Sequence, residues 1–132
     1  MSIEEQLEEQ LHSLFKCTPC QHLTRIRTPF LLPDGDVLDL FAVEEKAGTL
    51  LLTDEGETLR WLRGQWIEKM LPAAIRDQVS NICQMHTIEL WQGQLRVITE
   101  EAQIAGQLMQ LAQASMRVAD LWFLLKKGVP DV

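Results

Sequence analysis

The sequence is poor in cysteine and has no long apolar run. Its three cysteines are an odd number, which argues against a disulfide framework. No uninterrupted apolar segment approaches the ~20 residues that span a bilayer. Four glutamates precede the first lysine, unlike the start of a signal peptide. We therefore expect a cytoplasmic protein with no membrane partner.

Basic residues are scarce in the first half of the chain. Residues 1–57 contain twelve acidic and four basic side chains, residues 58–132 contain seven and eight, and the net charge is −7. Broad nucleic-acid binding is not expected, because it needs clustered Lys and Arg. Phosphate loops, GxSxG elbows and HExxH helices are also missing, which argues against the common enzyme classes. An acidic first half favours a protein partner with a basic surface.

The apolar spacing predicts an α+β fold in a single domain over residues 1–132. An N-terminal helix over roughly residues 2–16 precedes a three-stranded meander over residues 22–54. A short helix capped by Asp54, a helix starting at Pro72 and a hairpin around Gln92-Gly93 come next. The predicted architecture is an antiparallel sheet of about five strands packed by the N- and C-terminal helices.

The last predicted helix has an apolar seam from Ile104 to Leu125 with alternating steps of four and three residues. Such spacing is typical of a coiled-coil face, which would make the protein a regulatory homodimer through residues 104–125. The same seam also suits a helix that packs on the sheet, and this interpretation is favoured for a single domain.

The stretch "PDGDVLDLFAVEEK" resembles the PD…(D/E)xK signature of divalent-metal nucleases. Its candidate catalytic residues are Asp34 or Asp36 with Glu44 and Lys46. However, Asp34 and Glu44 bracket one predicted strand of ten steps, which separates them by ~30 Å when fully extended. Turn chemistry at both ends of a strand therefore explains these residues better than a catalytic site does.

A CxxC…CxxH set provides candidate zinc ligands, namely Cys17, Cys20, Cys83 and His86. Cys83 and His86 are three positions apart and would share one helix face. The alternative is that Cys83 is a buried core residue, since free cysteine is among the most buried residue types. Sequence spacing leaves both interpretations open, and no cofactor is our main expectation.

Several motifs resemble a family of small bacterial and phage proteins classed as a domain of unknown function. They are "TPF" at 28–30, "DGD" at 34–36, "LTDEGETLRWL" at 52–62, "LWQGQLRVI" at 90–98 and "SMRVADLW" at 115–122. The resemblance covers roughly residues 15–125. It implies carriage by phages or mobile elements and a role in host takeover or counter-defence. It provides no catalytic residues.

The leading hypothesis is a small acidic binding protein of the phage or mobile-element type. It would inhibit a host defence complex, of the kind that CRISPR or restriction systems form. Trp61 and Trp66 are the candidate anchors, and acidic side chains would steer the partner's basic surface. The acidic candidates are Glu44, Glu45, Asp54 and Glu57. A divalent-metal nuclease and a regulatory homodimer are the alternatives.

Overall fold

The computed structural model describes residues 1–128, so the last four residues of the predicted domain lie outside the described part. Six antiparallel strands form one sheet in the order β1-β2-β3-β4-β6-β5. The strands are β1 (Lys16–Cys20), β2 (Leu23–Leu31), β3 (Val37–Lys46), β4 (Thr49–Thr53), β5 (Glu89–Trp91) and β6 (Gln94–Glu100). The helices are α1 (Ile3–His12), α2 (Glu57–Gly64), α3 (Ala73–Met85), α4 (Ile104–Ala119) and α5 (Trp122–Lys127), with a 3-10 turn at Glu101–Gln103.

The core lies between one face of the sheet and the helices. Side chains alternate along β3, where Leu38, Leu40 and Ala42 are buried, whereas Asp39 and Phe41 on the opposite face are half-buried. Helix α4 packs on β2, β4 and β6 and against α2 and α3. This arrangement confirms the predicted α+β class, with one strand more than the five expected.

The additional strand is β1, which lies between the predicted first helix and the predicted meander, where the sequence analysis expected no strand. Helix α1 ends earlier than predicted, at His12, where the Ser13 hydroxyl donates to the Gln10 carbonyl over 2.7 Å. Strand β1 then pairs with β2 alone, and Pro19 lies opposite Thr24. Proline is tolerated there because an edge strand leaves half of its N–H groups without a sheet partner.

Helix α1 does not pack on the core as predicted. Every one of its residues is exposed, including Ile3 (73%), Leu7 (55%) and Leu11 (57%). The apolar stripe that predicted this helix is therefore real but uncovered within residues 1–128. In the same range, no helix is both long and apolar enough to cross a membrane.

The predicted C-terminal helix is two helices. The α-helical pattern of backbone hydrogen bonds, which joins residues four apart, ends at Leu121. The N–H of Leu121 donates instead to the Val118 carbonyl three residues back. The seam proposed for a homodimer is occupied within the chain: Leu111, Val118 and Leu125 are buried in the core. The packing therefore gives no support to a dimer through the 104–125 seam, because these side chains already contact the sheet and its helices.

Candidate functional site

A recess with acidic walls lies between the β2–β3 turn, the start of β3 and helix α2. It has a volume of about 260 Å³. The residues that define it, termed the acidic groove below, are Asp36, Asp39, Phe41, Glu57, Thr58 and Trp61. The sequence analysis assigned Asp36 to a nuclease site and Glu57 and Trp61 to a binding surface. The structure brings these residues together at one place.

The tight β2–β3 turn brings Asp34 and Asp36 to the rim of the acidic groove. Gly35 has a φ of +90°, a conformation that glycine adopts without steric cost. The Leu32 N–H donates to the Asp36 carbonyl over 2.8 Å, and the Asp36 N–H donates to Asp34 Oδ1 over 2.9 Å. The predicted Pro-Asp-Gly turn is therefore present, and its first carboxylate stabilises it.

Trp61 connects this turn to α2. Its indole Nε1 donates to Asp34 Oδ2 over 2.9 Å, and its ring lies 6.5 Å from that of Trp122. Hydrogen bonds to the charged form lower a carboxyl pKa. The Asp36 backbone N–H, and after it the Trp61 indole, lower the pKa of Asp34 below its usual value. Asp34 is therefore held as an anion at the end of the turn.

The carboxylates of the acidic groove and its rim outnumber the arginines beside them. Asp39 lies opposite Arg27 in the β2–β3 register and accepts from its Nε over 3.2 Å. That hydrogen bond, with the charge of Asp39, raises the pKa of the Arg27 guanidinium. On α2, Glu57 forms an ion pair with Arg60. Asp34 and Asp36 form no ion pair with any residue of the described range, so this end of the protein keeps an excess of negative charge.

Asp54 holds α2 in position from inside the protein. It is fully buried, and it accepts three backbone hydrogen bonds: from Gly56 (2.8 Å), Thr58 (3.1 Å) and Leu95 (3.0 Å). The N-cap position of α2 is Gly56, with a φ of +77°, and not Asp54 as predicted. Asp54 was also predicted to contact a partner. Its burial contradicts that role, because both carboxylate oxygens accept backbone hydrogen bonds inside the protein.

The acidic groove contains one polar group without a partner. Thr58 lines the groove and is 1% exposed. Its Oγ1 makes no hydrogen bond with any described residue. Buried hydroxyls normally have a hydrogen-bond partner, so Thr58 Oγ1 is an unsatisfied polar atom, and its burial places it behind the surface of the groove.

The proposed nuclease residues are divided between the two ends of β3. Asp34 and Asp36 belong to the turn before the strand, whereas Glu44 and Lys46 lie in its last three residues, beside the β3–β4 turn. The structure does not bring the two groups together. No group of three or more His, Cys, Asp or Glu side chains in residues 1–128 is arranged to hold a metal ion.

The candidate zinc ligands lie on different elements of the structure. Cys17 lies on the edge strand β1, whereas Cys83 is buried on α3 among core side chains. Burial, and next the negative charge of Asp54, raise the pKa of the Cys83 thiol to about 11. His86 instead contacts α4, through Gln110 at 2.8 Å and Arg117 at 3.1 Å. The core interpretation of Cys83 therefore describes the structure.

The remaining binding candidates lie outside the acidic groove. Glu44 and Glu45 are exposed at the far end of β3. Trp66 is half-buried against the core, and its Nε1 is buried with no partner among the described residues. Sequence reasoning did not assign Asp39 to a site. The only signal for it was its place on the polar face of β3, and strand register was needed to set it beside Arg27.

These features define a small α+β protein with one face of its antiparallel sheet covered by helices and an acidic groove at one end of the central strand. The chain belongs to the family described as "Domain of unknown function DUF1828", whose model matches residues 28–118. The matched segment includes every residue of the acidic groove and excludes α1 and β1. Comparisons with curated proteins and with solved structures gave no match.

Proposed function

We propose that the protein is a binding module whose acidic groove receives a basic side chain of a protein partner. The observation that carries this proposal is the hydrogen bond from Trp61 to Asp34. It joins the carboxylates of the β2–β3 turn to the wall that Glu57 and Trp61 form on α2. A lysine or arginine placed there would meet carboxylates together with an aromatic ring, which are the two groups that attract such cations.

The charge balance supports a basic ligand over an acidic one. Arg27 and Arg60 are engaged by Asp39 and Glu57, and no basic side chain of residues 1–128 neutralises the two turn carboxylates. The acidic first half of the chain would also steer a basic partner toward this end of the protein.

The identity of the partner is a second part of the proposal. The resemblance to phage and bacterial proteins suggests that the protein comes from a phage or mobile element and inhibits a host defence complex of the CRISPR or restriction type. Such complexes bind nucleic acid and so have basic surfaces, which suits an acidic binding site. Loss of interference against a plasmid in cells that express the protein would test this part directly.

The test of the binding site uses capture of a partner from nuclease-treated lysate of the native host. The groove variant carries Asp36→Asn with Glu57→Gln. The matched control carries Glu44→Gln with Glu45→Gln, which removes the same charge at the opposite end of β3. We expect the wild type and the control to retain one stoichiometric partner that elutes with rising salt, and the groove variant to lose it.

Two results would contradict the proposal. If the groove variant retains the partner as well as the wild type does, the acidic groove is not the site. If both variants lose it equally, binding depends on overall acidity, and the acidic side chains predicted at the far end of β3 contribute as much. Circular dichroism of all three proteins must agree, so that unfolding is not mistaken for lost binding.

A further inference from the structure

A second pocket, unrelated to the acidic groove, lies between α2, α3 and the β5–β6 hairpin. It has a volume of about 440 Å³, within the ~300–1,000 Å³ that small-molecule sites occupy. Its walls are apolar and come from three parts of the chain: Leu59 on α2, Leu71 and Val79 around α3, and Leu90 on β5. Leu90 is 40% exposed and presents apolar surface at this pocket.

Two arginines line the same pocket, and no carboxylate does. They are Arg63 at the end of α2 and Arg76 on α3. Neither forms an ion pair with any residue from 1 to 128. The guanidinium of Arg63 has only a long hydrogen bond of 3.5 Å, from Nη2 to the Lys69 carbonyl. This differs from Arg60, one turn earlier on α2, whose charge is matched by Glu57.

An apolar cavity with two unpaired cations at its wall favours one class of ligand. Apolar side chains bind a hydrocarbon body, and guanidinium groups bind carboxylates in paired hydrogen bonds. The hydroxyl of Ser80, which also lines the pocket, is a further donor. In a chain of net charge −7, a site without acidic residues is selective for an anion against a cation.

We propose that this pocket binds a small carboxylic acid with an apolar body. The carboxylate lies at Arg63 and Arg76, and the apolar body lies on Leu71 and Val79. This function is independent of the acidic groove, because the ligand has the opposite charge and the two sites share no lining residue. The protein would thereby respond to a small acid as well as bind a basic partner.

The experiment is a calorimetric titration of the full chain with octanoate, repeated with octanol as the uncharged analogue. We expect saturable binding of octanoate, about tenfold or more stronger than that of octanol, because charged hydrogen bonds to arginine are lost with the alcohol. Arg76→Gln is expected to weaken octanoate binding by about tenfold and to leave octanol binding unchanged. Arg60→Gln, an exposed arginine outside the pocket, is the matched control and is expected to bind like the wild type.

Three outcomes would overturn the proposal. They are the absence of saturable octanoate binding, equal binding of octanoate and octanol, and equal losses in Arg76→Gln and Arg60→Gln. Nuclear magnetic resonance shifts at Val79 and Leu71 locate the ligand independently of affinity. Both variants retain every buried apolar side chain, so an unchanged thermal midpoint is expected and separates lost binding from misfolding.

Discussion

The Trp61 indole donates a hydrogen bond of 2.9 Å to the Asp34 carboxylate, 27 positions earlier in the chain. This bond joins a β-turn to a helix and helps to lower the pKa of Asp34. Trp61→Phe removes the donor and retains an aromatic ring. We therefore expect the pKa of Asp34 to rise in this variant, while the Asp36 N–H still keeps it below its usual value. The chemical shift of the Asp34 carboxyl carbon, followed by nuclear magnetic resonance through a pH titration, measures this pKa.

Trp66→Phe is the control for that titration. Trp66 is also half-buried, but its indole Nε1 contacts no carboxylate of the described chain. The pKa of Asp34 is expected to be the same in Trp66→Phe as in the wild type. An equal pKa in Trp61→Phe and the wild type would mean that the indole does not stabilise the anion.

The lowered pKa of Asp34 also predicts how stability depends on pH. Its pKa is lower in the folded protein than in the unfolded chain, where it is about 3.9. The stabilisation by its charge is therefore fully present above the unfolded value and is lost as the pH falls through the folded value. We expect Asp34→Asn to be less stable than the wild type near neutral pH. The difference should shrink below about pH 4, as urea denaturation at a series of pH values would show. A difference that does not change with pH would exclude the charge as its cause.

Asp54 is expected to be the most sensitive carboxylate for folding. Asp54→Ala leaves three backbone N–H groups without their acceptor, two of them on the buried residues Thr58 and Leu95. Each buried unpaired donor costs ~1–3 kcal/mol, so we expect a loss of about 3 kcal/mol or more in urea unfolding. Asp54→Asn retains one acceptor oxygen and should lose less. Glu45→Ala, at an exposed site, should change stability by less than about 0.5 kcal/mol. Equal effects of the two alanine variants would contradict this role of Asp54.

The three cysteines are expected to react with iodoacetamide at very different rates. The pKa of the Cys83 thiol is raised to about 11, first by burial and then by Asp54, and the thiolate is the reactive form. Cys17 is exposed, and Cys20 is half-buried on the same edge strand. Mass spectrometry of the native protein near neutral pH should find Cys17 alkylated first and Cys83 unmodified until urea is added. Early modification of Cys83 would show that α3 opens readily from the sheet.

Leucines on α1 and α4 should differ sharply in their contribution to stability. Leu7 is 55% exposed, whereas Leu111 is fully buried between the sheet and the other helices. Leu111→Ala is expected to cost about 2–5 kcal/mol because it leaves a cavity. Leu7→Ala should change the free energy of unfolding by less than about 0.5 kcal/mol. A large loss for Leu7→Ala would mean that α1 packs on the body of the protein in solution.

Periodicity predicted most of the elements because local spacing and burial agree in them. The alternation of side chains along β3 puts Leu40 and Ala42 on the same face, and packing against the helices makes this the buried face. The apolar spacing of Ile75, Val79 and Ile82 agrees with the packing of α3, because all three side chains are buried on its inner face. The hairpin at Gln92-Gly93 was predictable because glycine favours the positive φ that a tight turn needs. In the structure both residues adopt a positive φ.

For α1, β1 and the last helix, apolar spacing alone did not predict the structure correctly. Helix α1 has regular apolar spacing, yet nothing in spacing determines whether another part of the chain covers the stripe. Strand β1 was missed because Pro19 is a poor strand residue unless it lies at a sheet edge, and only the order of strands makes β1 an edge. The division between α4 and α5 was missed because the seam continues in register across Leu121.

By itself, the sequence determined the α+β class, the turns and the apolar spacing of most elements, because each depends on neighbours within a few residues. Tertiary structure alone decided which polar residues meet. It buried Asp54, set Asp39 beside Arg27, and brought Trp61 from a distant helix onto the β2–β3 turn. The physical reason is that these contacts depend on how the helix and the sheet pack together, and local spacing contains no information about that packing.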